Sequence, residues 1–197
     1  METDRLEQQL SFLIECDKMK KILRRTVLMD SSRRENDAEH SWHFALMAMT
    51  LLEYAGNKDL DTYKVLRMAL VHDLIEIYAG DTFAYDPKGH SDKYERETAA
   101  ADKLFSLLPE DQGKEFRSLW EEFDAMETPE AQYAASIDRF QPFLHNYRTQ
   151  GYTWKEGNVH YTQVYERMEI LRTAMPALWP VVLNMMKDSV EKGYLLP

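Results

Sequence analysis

Leu70-Val71-His72-Asp73-Leu74-Ile75-Glu76 places three ionisable groups in an otherwise apolar helical stretch. The stretch belongs to a helix that Asp61 can cap, that runs through Val65, Leu66, Met68, Ala69 and Ile77, and that Gly80 can stop. A charge buried without a partner is costly, so such groups need one another or a metal ion. Glu76 follows His72 by four residues and Asp73 by three, which puts it on their side of the helix. Adjacent residues differ by about 100° around a helix, so His72 and Asp73 can both reach one ion beside it. Taken alone, the pair reads as a hydrogen-bonded core histidine with Asp73 orienting it, and a metal is the lesser reading.

Two further intrusions lie on either side. Upstream, Asn36 or Asp37 can cap a helix that carries His40, runs through Phe44, Leu46, Met47, Met49, Leu51 and Leu52, and ends before Gly56. That helix is apolar on most faces and is expected to be central. Downstream, Asp138 interrupts Ala134-Ala135-Ser136-Ile137-Asp138-Arg139-Phe140, where an ion pair with Arg139 is the simpler account. Together His40, His72, Asp73 and Asp138 supply two imidazoles and two carboxylates. That mixed donor set suits a divalent transition metal and can leave positions open for water and substrate.

The remaining pattern predicts helices throughout. Leu6, Leu10, Leu13, Ile14, Met19 and Ile22 predict a first helix over about 4–24, and Asp30 to Asn36 reads as a polar loop. Asp81 to Asp92, with Pro87 and Gly89, reads as another loop. Amphipathic helices are expected over about 93–108, 110–125, 129–149, 160–173 and 175–192, with no period-2 strand. The expected fold is all-α: one irregular helical bundle over 1–197, with a metal-site core over about 25–140 and C-terminal helices over about 160–192 packing on it.

Composition narrows the function. The 197 residues are 44% hydrophobic and 29% charged, ordinary for a folded domain, and carry a formal net charge of −10. The basic clusters, Lys18 to Lys21 with Arg24 and Arg25, then Arg33 and Arg34, are short, so a nucleic-acid polymer is not an expected partner. A small phosphorylated substrate is, because one local cation can bind it. The single cysteine, Cys16, excludes an intrachain disulfide and has no base beside it in sequence. No stretch is long enough to span a bilayer and no secretory signal is visible, so no membrane partner and a cytoplasmic location are expected. Met47, Met49, Met68, Met185 and Met186 read as core filling. Trp154, Tyr161, Tyr165, Trp179, Val181 and Val182 look exposed in the terminal helices, from which a homodimer is expected.

The order His…His-Asp…Asp resembles that of the HD-domain phosphohydrolases. Arg34-Glu35-Asn36-Asp37-Ala38-Glu39-His40-Ser41 is similar to the first-ligand segment of their 5′-deoxynucleotidase-like branch. His72-Asp73-Leu74-Ile75-Glu76-Ile77-Tyr78-Ala79-Gly80-Asp81 is similar to the second, and Ser136-Ile137-Asp138 falls where the last ligand is expected. The resemblance covers about residues 10–150. It implies an HD-type bundle with His40, His72, Asp73 and Asp138 as metal ligands and Glu76 as a catalytic carboxylate close to the metal. It also implies that Asp81 contacts substrate or moves protons, and that Arg25, counted back from His40 through Leu28-Met29, orients the phosphate. Thr26 stands at the sugar-side position where that branch has a tryptophan. Relatives that hold two metals place extra histidines between the His-Asp pair and the last Asp. Here only His90 lies between Asp73 and Asp138, so one divalent ion is implied, drawn from Mn, Co, Fe, Ni, Zn or Mg. His43 is read as core or supporting, and His145 and His160 as structural or exposed. The implied activity is phosphate release from a small phosphomonoester such as a (deoxy)nucleoside 5′-monophosphate. The alternatives are an HD hydrolase acting on a nucleoside triphosphate, cyclic diester or alarmone, and a metal-stabilised binding protein without turnover. Retention of Glu76, Asp81 and Arg25 argues against the last.

Overall fold

The chain starts with helix α1 (Glu2–Cys16), followed by a 3₁₀ turn at Asp17–Lys21 and strand β1 (Leu23–Val27). The computed structural model describes residues 2–86 and 92–197, so Pro87, Gly89 and His90 lie outside the described residues. The single helix expected over 4–24 therefore ends early, and its last residues pair as a strand. Phe12 and Met19 are buried, whereas Leu6, Leu10, Leu13 and Ile14 are exposed. Strand β1 pairs antiparallel with β2 (Arg34–Asn36), so a two-stranded hairpin occupies what reads from sequence as helix end and loop. Its period-2 signal is hidden because an inward-facing position holds a charge, Arg24, where alternation would show an apolar residue.

Asn36 closes the hairpin and caps helix α2 (Asp37–Thr50). Its side chain accepts from the Glu39 N–H at 3.0 Å, while the Glu39 carboxylate accepts from the Asn36 N–H at 3.1 Å. This reciprocal cap satisfies two donors that a helix start leaves open. Asp61 caps helix α3 (Thr62–Val71) by accepting from Lys64 N–H at 3.1 Å. Helix α3 does not continue to Gly80 as one rod. His72 ends it, tight turns with Leu74 N–H to Val71 O and Glu76 N–H to Asp73 O follow, and helix α4 (Glu76–Ala79) resumes until Gly80, whose φ of 75° breaks it.

Helices α5 (Lys93–Phe105), α6 (Glu110–Ala125) and α7 (Pro129–Arg148) complete the central bundle. Helix α7 packs against α2, α3 and α6, and its Ala131, Ala134 and Ala135 are buried. The buried Tyr133 hydroxyl donates to Ala48 O at 2.7 Å, fixing α7 to α2. The core joins Phe44, Val65, Met68, Leu104 and Ile137. Helices α8 (Tyr152–Glu156), α9 (Tyr161–Met168), α10 (Leu171–Ala174) and α11 (Trp179–Glu191) pack beside it. No helix among the described residues is long and apolar enough to cross a membrane.

The all-α expectation holds apart from the hairpin. Helix α2 is less enclosed than its composition implies: Trp42, Leu46 and Met49 are exposed, so Met49 is not core filling. In the C-terminal part, Trp154 and Val182 are buried and Tyr161, Tyr165 and Trp179 half-buried, leaving Val181 alone of the six exposed. Tyr161, Tyr165 and Trp179 pack on one another, so the apolar surface from which a homodimer is expected is smaller than the sequence implies.

Candidate active site

Helix α2, the turn after α3 and helix α7 bring His40, His72, Asp73 and Asp138 to one place. His40 Nε2 lies 3.0 Å from Asp138 Oδ1 and 3.7 Å from Asp73 Oδ2. His72 Nε2 lies 3.1 Å from Asp73 Oδ2 and 3.7 Å from Asp138 Oδ1. Both rings are oriented through their other nitrogen: His40 Nδ1 faces Gln141 Oε1 at 3.0 Å and His72 Nδ1 faces Ala69 O at 3.0 Å. Each Nδ1 is thereby the N–H donor, which leaves each Nε2 as the nitrogen that a cation shared with the two carboxylates would take in place of a proton. The contact of His72 Nε2 with Asp73 is close but off the hydrogen-bond line, so this buried nitrogen has no hydrogen-bond partner.

These groups fit a divalent cation. A histidine nitrogen buried and orphaned beside two carboxylates is a donor set lacking only a positive centre. Burial disfavours a charged His72, yet Asp73 and Asp138 outweigh it and push its pKa up to about 10. Burial holds His40 below its ordinary value despite the same carboxylates. Burial would raise Asp73 and Asp138, but the neighbouring imidazoles hold both down, helped at Asp73 by Arg24.

A second set of acids adjoins the first. Asp37, Asp73 and Glu76 each offer an oxygen within 4.8 Å of the others. Arg24 sits among them, with Nη1 2.7 Å from Asp73 Oδ2, 3.3 Å from Asp37 Oδ1 and 3.9 Å from Asp81 Oδ1. Burial, then the Asp73 and Asp37 carboxylates, push Glu76 well above the usual range. Burial likewise raises Asp37 to about 7, and raises Asp81 against the pull of Arg24. One guanidinium cannot keep all of these acids ionised, and a divalent ion would relieve the mutual repulsion that raises them.

Arg24 and Asp37 escape sequence reasoning, because Arg24 looks like part of a surface basic run and Asp37 like a cap. Arg25, its neighbour on the strand, points the other way. It is exposed, with its guanidinium 4.7 Å from the Phe83 ring centre at the cleft. Thr26 is buried and also lines the cleft.

Behind His40, the buried amide of Gln141 joins several polar groups. Its Nε2 donates to Glu35 Oε1 at 2.6 Å and lies 3.1 Å from His145 Nε2 and 3.3 Å from His43 Nδ1. His145 is tied in turn through Nδ1 to Val27 O at 2.9 Å. Thus His43 and His145 stand one layer behind the candidate ligands, while His160 is exposed at the start of α9. Gln141 was legible in principle, being three residues from Asp138 on one helix face.

The cleft encloses about 140 Å³ and opens from Asp73, Glu76, Asp81 and Asp138 toward Tyr85, Trp154, Arg139 and Arg167. Arg139 does not pair with Asp138: its guanidinium donates to Arg167 O at 3.1 Å and to Met126 Sδ at 3.0 Å.

The chain resembles characterised and solved proteins. It is 34% identical over 118 residues to the human 5′-deoxynucleotidase HDDC2, covering 60% of this chain and 56% of that protein. The Dictyostelium discoideum 5′-deoxynucleotidase HDDC2 is 32% identical over 148 residues, covering 72% and 77%. The chain thus spans little more than half the length of its human relative. A crystal structure described as a "predicted metal-dependent phosphohydrolase" from Magnetospirillum magnetotacticum MS-1 superposes with a TM-score of 0.94 at 47% identity, over 98% of this chain and 97% of that one. A Pyrococcus horikoshii OT3 protein, 21% identical with a TM-score of 0.64, shares the fold. The family profile described as HD domain matches residues 16–179, a span that holds all four clustered histidines and aspartates, and the chain belongs to the HD domain family.

Proposed function

We propose that this protein is a metal-dependent phosphohydrolase that releases phosphate from a small phosphomonoester, with (deoxy)nucleoside 5′-monophosphates as the leading substrate class. The observation that carries this reading is the buried, partnerless His72 Nε2 facing the Asp73 and Asp138 carboxylates, with His40 opposite. His40, His72, Asp73 and Asp138 would hold the ion. When bound, a divalent ion neutralises phosphate charge and makes water more acidic. Glu76, ionised when the ion's charge offsets the acids that raise it, accepts a proton from the attacking water. Arg25, at the open side of the cleft, holds phosphate oxygens through its planar fork, and Arg24 keeps Asp73 and Asp81 in place from behind. Asp81 contacts the sugar side or protonates the leaving oxygen. The named activity of the 5′-deoxynucleotidase relatives supports the substrate class.

The test is a panel of ribo- and deoxyribonucleoside 5′-monophosphates, a nucleoside triphosphate and a cyclic diester, each assayed with several divalent metals. Phosphate release from monophosphates that EDTA abolishes and metal restores is expected. Turnover confined to the triphosphate or the diester contradicts the monoester reading, and no turnover on any ester contradicts the enzyme reading.

A further inference from the structure

Arg139 and Arg167 share the wall of the cleft, and among the described residues no acid forms an ion pair with either, although Asp138 lies close enough to Arg139 to act on its charge. Arg139 donates to the backbone oxygen of Arg167. Among the described residues the Arg167 side chain has no hydrogen bond. The stretch 87–91, Pro-Lys-Gly-His-Ser, contains no acidic residue to supply one. Tyr85 lies close enough to feel both charges. Arg139 is only part-exposed.

Like charges drawn together and partly desolvated are unfavourable unless something compensates. Structural arginines in this chain find carboxylates: Arg5 pairs with Asp111, Arg33 with Glu39 and Arg117 with Asp102. The Arg139–Arg167 pair does not, and its unpaired N–H donors border the same cleft as the metal site. Two guanidiniums carry a charge of +2, which matches a dianionic phosphate better than a single carboxylate, and their planar forks suit phosphate oxygens. Phosphate held at the His-Asp cluster already has Arg25 on its own side of the cleft.

We propose that Arg139 and Arg167 form a subsite for a second phosphate, so that the preferred substrate is a phosphomonoester bearing a further phosphate on its leaving group. This rests on the phosphohydrolase reading for the reaction, but the binding part of it does not.

Two matched pairs test it: adenosine 3′,5′-bisphosphate against adenosine 5′-monophosphate, and fructose 1,6-bisphosphate against fructose 6-phosphate. In at least one pair the wild-type enzyme is expected to favour the bisphosphate by about tenfold or more in kcat/KM, chiefly through KM, as one charge-assisted contact implies. Arg167→Gln should collapse that ratio about tenfold, and Arg167→Lys should restore part of it. Equal losses on monophosphate and bisphosphate would overturn the proposal, assigning the pair to the scissile phosphate. So would the absence of any bisphosphate preference in the wild type. Calorimetry on metal-free protein with adenosine 3′,5′-bisphosphate gives a readout independent of turnover. Binding of the bisphosphate weakened about tenfold by Arg167→Gln, with binding of adenosine 5′-monophosphate unchanged, supports the subsite even if no ester is hydrolysed, in which case only the phosphohydrolase reading fails. Binding unaffected by Arg167→Gln overturns the subsite whatever the turnover.

Discussion

At the scale of single residues, the site divides into groups that would hold an ion and groups that would act beside it. Glu76 belongs to the second kind. It shares a buried acidic set with Asp37 and Asp73, yet the His40, His72, Asp73 and Asp138 cluster is complete without it. Glu76→Gln keeps size and polarity and removes the ability to accept a proton. It should lower phosphomonoester turnover by roughly 10²–10⁴-fold with metal still bound. Turnover at the wild-type level with a full metal load, measured by phosphate release and elemental analysis, would show that another group is the base. Gln141 acts one step further back. It accepts from His40 Nδ1 and is itself held by Glu35. Gln141→Leu should weaken metal affinity about 10–100-fold, since groups that orient a ligating histidine typically carry that much. Competition with a chelator of known affinity reads this directly, and an unchanged affinity would remove Gln141 from the metal's support.

At the scale of elements, what was legible depended on whether a segment's polarity followed its periodicity. Helices α2, α3 and α7 announce themselves by apolar repeats, and His40, His72 and Asp138 stand out because they interrupt those repeats. The break after His72 did not show, because Leu74, Ile75 and Ile77 continue an apolar run that a helix could equally carry. The hairpin did not show because Arg24 replaces the apolar residue that alternation needs. Its charge is tolerated there because Asp37, at the end of the hairpin, and Asp73 and Asp81, from segments distant in sequence, face it. The cap of α2 was legible as Asn36 or Asp37, and the structure assigns it to Asn36, freeing Asp37 to pair with Arg24. Asn36→Ala should therefore cost about 1 kcal/mol of stability. A denaturation midpoint that does not move would mean the cap contributes nothing to the helix that positions His40.

At the scale of the whole molecule, burial of carboxylates links stability to pH. Glu35 is almost wholly enclosed, and burial pushes its pKa from 4.5 to about 7 despite Arg24 and the Gln141 hydrogen bond. Because the folded value is raised, its contribution is fully present below pH 4.5 and is lost as pH rises through 7. A shift of this size corresponds to roughly 3 kcal/mol. Glu35→Gln should flatten the fall in melting temperature across that window relative to the wild type, and parallel profiles for the two proteins would contradict the assignment. His40, His72 with Asp73, and Asp138 come from three separated segments and would together hold one cation. Anomalous diffraction from crystals grown with Mn²⁺ tests it most directly. One strong peak in contact with His40 Nε2, His72 Nε2 and the Asp73 and Asp138 carboxylates is expected. A peak elsewhere, for instance among Glu35, His43 and His145, or no peak at saturating metal, would contradict it.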